Sequence, residues 1–225
     1  MHISAHDSFF FLCYLYFMEM IPNFIVFEGG DGSGTTTQVS LLENRIKSLK
    51  KNAFYATFEP TDGYIGRLIR SVLKKEILVK PQTLAHLFAA DRNEHLFGEN
   101  GIIERVNRGE LVVSDRYVLS SLVYQGIECG DELPNTLNSP FPAPEITFFL
   151  DIDPQVALSR VQGRSTLEIY EYSDFQEKVR KKYLTQIDIY RSAGIRVEII
   201  DASKSADEVA EQVWSILSLL PIIKA

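Results

Sequence analysis

An apolar run, Phe24-Ile25-Val26-Phe27, breaks at Gly29-Gly30-Asp31-Gly32-Ser33-Gly34-Thr35-Thr36-Thr37 and passes into a helical pattern, and this junction constrains the chain more than any other stretch. The β-branched and aromatic content of the run makes it a buried strand, and the glycine pair stops it. From about Thr35 to Lys50, Val39, Leu42, Ile46 and Leu49 fall on one helical face. Glycines let the backbone turn tightly, so successive N–H groups can converge on phosphate oxygens at the positive end of the helix. Gly29, Gly30, Asp31, Gly32, Ser33, Gly34, Thr35, Thr36 and Thr37 are therefore candidate phosphate-binding residues. Thr36 stands where the pattern places a hydroxyl for Mg²⁺. A tight glycine turn without a ligand is the bland alternative; the strand–loop–helix context favours phosphate. One position departs from G-x-x-x-x-G-K-[ST]: Thr35 replaces the lysine.

Short apolar runs and helical patterns alternate along the rest of the chain. Strands are expected at Ala53–Phe58, Leu111–Val113 running into Ser114-Asp115, Ile146–Leu150 and Val197–Ile200. Helices are expected at Gly66–Lys75, Pro81–Phe97, Asn100–Arg108, Pro154–Arg164, Asp174–Ser192 and Ala206–Leu219. Gly130–Pro144, with prolines at 134, 140, 142 and 144, reads as a loop. Strands separated by helices imply an α/β fold: a five-stranded parallel sheet covered by helices on both faces, with ligands at the carboxyl ends of the strands. A length of 225 residues suits one such domain, expected over 20–225.

Residues 1–19 do not share this pattern. Phe9–Phe17 is apolar but too short to span a bilayer, no Lys or Arg precedes it, and no cleavage site follows. They are expected to be an extension outside the core, with Met18 or Met20 as a natural start; a membrane-surface anchor is the rival. A net charge of −7 argues against sequence-independent nucleic-acid binding, which needs a basic surface. Two cysteines, Cys13 and Cys129, are too few for a disulfide framework or zinc site and point to the cytoplasm.

Two further groups carry chemistry. Asp115 and Arg116 sit at the end of a strand, where Arg116 could grip a phosphate bidentately and Asp115 could accept from a magnesium-bound water. A surface ion pair between them is the alternative. Phe88 and Arg92, four apart on one helix, share a face and could stack and hydrogen-bond a base. Taken alone, the residues make Phe88 core and Arg92 a solvated charge.

Together these motifs closely resemble the thymidylate kinases, a family of P-loop nucleoside monophosphate kinases. The resemblance rests on Phe27–Gly34 with Thr36-Thr37-Gln38, Glu59-Pro60-Thr61-Asp62-Gly63 with Ile69-Arg70, and Leu87–Arg92. It continues through Asp115-Arg116-Tyr117, Ser120-Ser121 and Tyr124-Gln125-Gly126 to Phe148–Pro154, and covers Asn23 to the C-terminus. It implies ATP as donor with Mg²⁺, dTMP as acceptor, and a homodimer. It further implies that Phe88 stacks on thymine, Arg92 meets its O4 edge and Gln125 its N3. Arg70 and Arg116 would hold the 5′-phosphate, Asp31 would sit beside the transferred group, Ser121 and Tyr124 would line the pocket, and Glu59 would belong to the acceptor site. Asp31, Asp115, Arg116 and Arg164 are the implied catalytic group, with Thr36 and Asp115 serving the metal and a short lid around 160–172.

Three positions depart from the family pattern. Thr35 replaces lysine, Phe58 replaces an arginine before Glu-Pro, and in the lid Ile169 replaces a second arginine beside Arg164. Two phosphoryl-stabilising cations are thus missing, which leaves Arg160, Arg164 and Mg²⁺ to carry more of the charge. A degenerate kinase that binds nucleotide with little transfer is the alternative, and a kinase for another acceptor is the third.

Overall fold

The computed structural model describes residues 19–49, 53–161 and 173–224. Residues 1–18, Lys50, Arg164, Ile169 and the lid from 162 to 172 lie outside the described residues. Five strands form one sheet: β1 (Met20–Gly29), β2 (Phe54–Phe58), β3 (Leu111–Asp115), β4 (Ala143–Asp151) and β5 (Val197–Asp201). Their order is β2-β3-β1-β4-β5, and every pairing is parallel. The expected sheet is therefore present, with β1 at its centre.

Alternation along β1 explains how both faces are covered. Phe24 and Val26 join one apolar cluster, and Ile25 and Phe27 the other. The second cluster is closed by Val39, Leu42 and Ile46 of α1 (Thr35–Leu49) and by Val209, Val213 and Leu217 of α9 (Ala206–Leu217). The first is closed by α2 (Tyr64–Leu73), α3 (Pro81–Phe97), α4 (Ile102–Asn107), α5 (Val118–Cys129) and α8 (Ser173–Ser192). α7 spans Pro154–Val161, and a short α10, Pro221–Lys224, follows α9.

Several boundaries differ from the expectation. β1 starts at Met20, four residues early, because Met20 and Ile21 pair with Ala143 and Pro144 across an irregularity before Ile25. Asn23 absorbs that irregularity at φ 61°, and its N–H donates to Glu145 Oε2 at 2.6 Å. Gly130–Pro144 is not a loop throughout: it holds α6 (Glu132–Asn138) and the start of β4. α5 follows the Asp115-Arg116-Tyr117 motif and was not expected.

Candidate active site

The glycine run leaves β1 at the carboxyl edge of the sheet, where the chain from β1 crosses to β2 on one side and the chain from β3 crosses over β1 to β4 on the other. This is the switch point at which α/β sheets place ligands. Gly32 and Gly34 sit at φ 81° and 98°, the left-handed region that a Cβ disfavours, and so the run needs glycine there. α1 begins at Thr35, which is buried, and Thr36 turns its hydroxyl outward to donate to Asp115 Oδ2 at 2.5 Å. The second oxygen of Asp115, Oδ1, is buried without a partner among the described residues.

Asp115 and Arg116 do not form the surface pair considered above. Asp115 faces Thr36, and Arg116 reaches the loop: Nη2 donates to Asp31 Oδ1 at 2.6 Å and Nη1 to the Gly29 carbonyl at 3.0 Å. Arg116 has φ 76°, a left-handed backbone in a non-glycine residue. The hydroxyl of Tyr124 lies 3.4 Å from Asp31 Oδ1, and burial pushes its pKa far up, so it stays protonated.

Two clefts meet here. The first, of about 580 Å³, runs from Gly30–Gln38 to Arg160, Ala202, Lys204 and Val209. The second, of about 400 Å³, is lined by Phe58, Glu59, Pro60 and Arg70 among others. Thr36, Asp115 and Arg116 line both. Arg160, expected to serve the migrating phosphoryl, donates to the carbonyls of Ala202 and Ser203, which holds it at the β5–α9 turn.

Arg70 donates to the carbonyls of Thr61 and Pro60, with its guanidinium carbon 5.3 Å from the Phe58 ring centre. Arg92 is not the solvated charge that its residue type suggests: it is 1% exposed. Its Nε and Nη2 donate to Glu59 Oε2 at 3.0 and 2.6 Å, Nη2 also reaches Ser121 Oγ at 3.1 Å, and Nη1 donates to Asn138 Oδ1. Burial alone would raise the Glu59 carboxyl, but Arg92 and His95 outweigh it and hold it below the usual range. Phe88 packs half-buried against the first apolar cluster, as the bland reading expects. Gln125 is buried, and its carbonyl oxygen has no protein partner among the described residues. Neither cleft is lined by Phe88, Arg92, Ser121, Tyr124 or Gln125, which sit on the packed helices α3 and α5 beside them.

Sequence reasoning missed three site residues. Gln176, on α8, clasps the tip of the loop: its amide donates to Asp31 Oδ2 at 2.8 Å and its carbonyl accepts from Asp31 N at 3.2 Å. A polar residue in register with Val179, Tyr183 and Ile187 on the buried stripe of α8 is the signal that could have found it. Lys204 contributes a cation to the wall of the first cleft. Glu28, a carboxylate continuing an apolar strand, is fully buried behind the loop.

The family model for thymidylate kinase matches residues 27–213, from the loop to the last long helix. The chain belongs to the thymidylate kinase family. It is therefore a phosphotransferase by kinship. Over 202 residues it is 43% identical to a candidate thymidylate kinase of Treponema pallidum, covering 87% of this chain and 95% of that protein. It is 42% identical over 195 residues to a probable thymidylate kinase of Pyrobaculum aerophilum, covering 86% and 95%. With a probable thymidylate kinase of Methanocaldococcus jannaschii it shares 39% over 204 residues, covering 90% and 100%.

Proposed function

We propose that the chain phosphorylates dTMP to dTDP, with the triphosphate of ATP in the first cleft and the acceptor's phosphate in the second. The observation that carries this reading is the shared wall: Thr36, Asp115 and Arg116 line both clefts, so donor and acceptor phosphates meet there. The backbone amides of Gly32–Thr36 cradle the donor, Arg70 and Arg116 hold the acceptor phosphate, and Asp31 sits beside the group in transit. Positioning and charge stabilisation make up nearly all of such catalysis.

Mg²⁺ fits the donor set. It keeps several waters and takes one or two protein oxygens besides phosphates, and Thr36 with the half-unpartnered Asp115 offers that much. When bound it neutralises charge on the phosphate oxygens. The orphaned carbonyl of Gln125 suits the N3–H of thymine, and Phe88 supplies a stacking face on the adjoining helix. Arg164 would add charge from the lid, and two copies would pair as the family resemblance implies, in the cytoplasm. Among the described residues no helix is long and apolar enough to cross a membrane.

Gln125→Leu tests the placement of the base. It leaves polar edges of the nucleotide unpaired, at a cost of ~1–3 kcal/mol. Calorimetry should show dTMP binding weakened about tenfold or more with ATP binding scarcely changed; undiminished dTMP affinity would refute the assignment.

A further inference from the structure

Glu28 occupies the penultimate position of β1, directly before Gly29, and is 0% exposed. Four donors converge on it. Oε1 accepts from the N–H groups of Tyr117 at 2.9 Å and Ser120 at 3.2 Å; Oε2 accepts from Ser120 Oγ at 2.6 Å and Tyr183 Oη at 2.9 Å. The first two are the N-cap and third-residue amides of α5, whose own N-cap residue, Tyr117, supplies no side-chain cap. The strand thus caps the helix from outside.

The residue before that cap is Arg116, held at φ 76° with its N–H on the Phe27 carbonyl at 2.8 Å. Ser120 joins the two charged groups, since its hydroxyl donates to Glu28 and accepts from Arg116 Nη1 at 3.3 Å. We propose that Glu28 is a positioning residue: as a carboxylate it fixes α5 and Ser120, and through them sets the Arg116 guanidinium to receive the acceptor's phosphate.

The direction of the Ser120 hydroxyl is what ionisation controls. While Glu28 is a carboxylate, both hydroxyl protons point at it and the Ser120 lone pairs face Arg116. Once protonated, Glu28 is itself a donor, the Ser120 proton loses its acceptor, and it competes with the Arg116 N–H. The groups facing Glu28 are Ser120 and the Tyr117 amide from α5, Arg116 from the β3–α5 turn, and the phenols of Tyr183 and Tyr190 from α8; its β4 neighbour is Phe149. Burial raises both phenols far above the neutral range, so they do not titrate with it. Burial likewise outweighs the hydrogen bond from Ser120 and the charge of Arg116 and lifts the Glu28 pKa to about 7.

The inference rests on Arg116 holding the acceptor's phosphate. It is tested by dTMP affinity, measured calorimetrically from pH 5.5 to 8.5. In the wild type two ionisations should govern binding as pH falls, one near 6 from the nucleotide's phosphate and one near 7 from Glu28. Glu28→Gln should keep only the lower one and bind dTMP tenfold or more weakly at pH 8, with ATP affinity within about twofold. Ser120→Ala, which keeps the carboxylate but removes the hydroxyl that relays its ionisation to Arg116, should keep only the lower ionisation and weaken dTMP at least threefold, and it decides the matter if Glu28→Gln does not fold. Wild-type dTMP affinity in Ser120→Ala, or both ionisations surviving in either variant, would overturn the proposal, as would a wild type that does not bind dTMP. A transfer assay on the same preparations separates the two readings: binding without turnover defeats the kinase assignment, and turnover with an unmoved profile defeats only the role of Glu28.

Discussion

A guanidinium as deeply buried as that of Arg92 is tolerable only because Glu59, Ser121 and Asn138 meet it, and the dependence is mutual. Arg92→Met should leave Glu59 short of its partner and destabilise the fold by about 3–5 kcal/mol, read as a lower urea midpoint. A midpoint within experimental error of wild type would mean that His95 alone satisfies Glu59. At Thr35 the expected effect is on rate. The loop can bind phosphate through its amides, but a threonine cannot follow the migrating phosphoryl with a charge. One preorganised charge contact is commonly worth on the order of 10²–10³ in turnover. Thr35→Lys should therefore raise kcat at least tenfold while moving the KM for ATP much less. Flat or reduced turnover would mean that another cation already occupies that space. The residue types at these positions were legible in the sequence; their environments were not. Burial of Arg92 depends on Asn138, 46 positions away, and nothing in the local pattern at Arg92 announces that partner.

Among the elements, the strands and the amphipathic helices followed from periodicity, and the failures have physical causes. α5 lacks a polar face: Val118, Leu119, Ser121, Leu122, Val123, Tyr124, Gln125 and Gly126 are all buried, so it shows no 3.6-residue alternation. Its cap comes from Glu28 on another element, and a local scan for capping residues finds nothing. α6 was hidden by Pro134, yet that proline is the third residue of the helix, in the first turn, where an N–H has no partner to lose. Pro144 sits in β4 opposite Ile21, where the β1 register slips, one of the few strand sites that admit proline. α8 carries the most informative contact of this kind, because Gln176 ties it to the tip of the phosphate loop. Gln176→Leu should release Asp31 from α8, leaving it to Arg116 and Tyr124, and lower kcat about tenfold, with a stability loss of only about 1 kcal/mol. If kcat is unchanged in steady-state assays, the clasp is not needed for transfer.

For the whole molecule, two buried carboxyls give opposite pH signatures. The Glu28 pKa stands at about 7 in the folded state against an ordinary 4.5, so between those values the folded chain holds a proton that the unfolded chain has released. Its contribution therefore falls as pH rises from about 4.5 to 7, by at most about 3 kcal/mol. Glu59 works the other way: its pKa is depressed, so its contribution is present above the ordinary carboxylate value and is lost as pH falls below it. Denaturant titrations of wild type and Glu28→Gln at pH 5 and pH 8 should show the variant gaining relative to the wild type at the higher pH. A difference independent of pH would contradict the burial argument. The sheet order brings these groups together: β1 lies between β3 and β4, and it sets the phosphate loop, Glu28 and the Asp115-Arg116 turn at one edge. The central claim is that this edge transfers a phosphoryl group despite Thr35. The most direct measurement is dTDP formation from dTMP, ATP and Mg²⁺, alongside calorimetric binding of both nucleotides under the same conditions. dTDP and ADP should form in equal amounts over many turnovers, with transfer abolished by Arg116→Ala while ATP still binds. Tight binding of both nucleotides with no dTDP formed would contradict that claim.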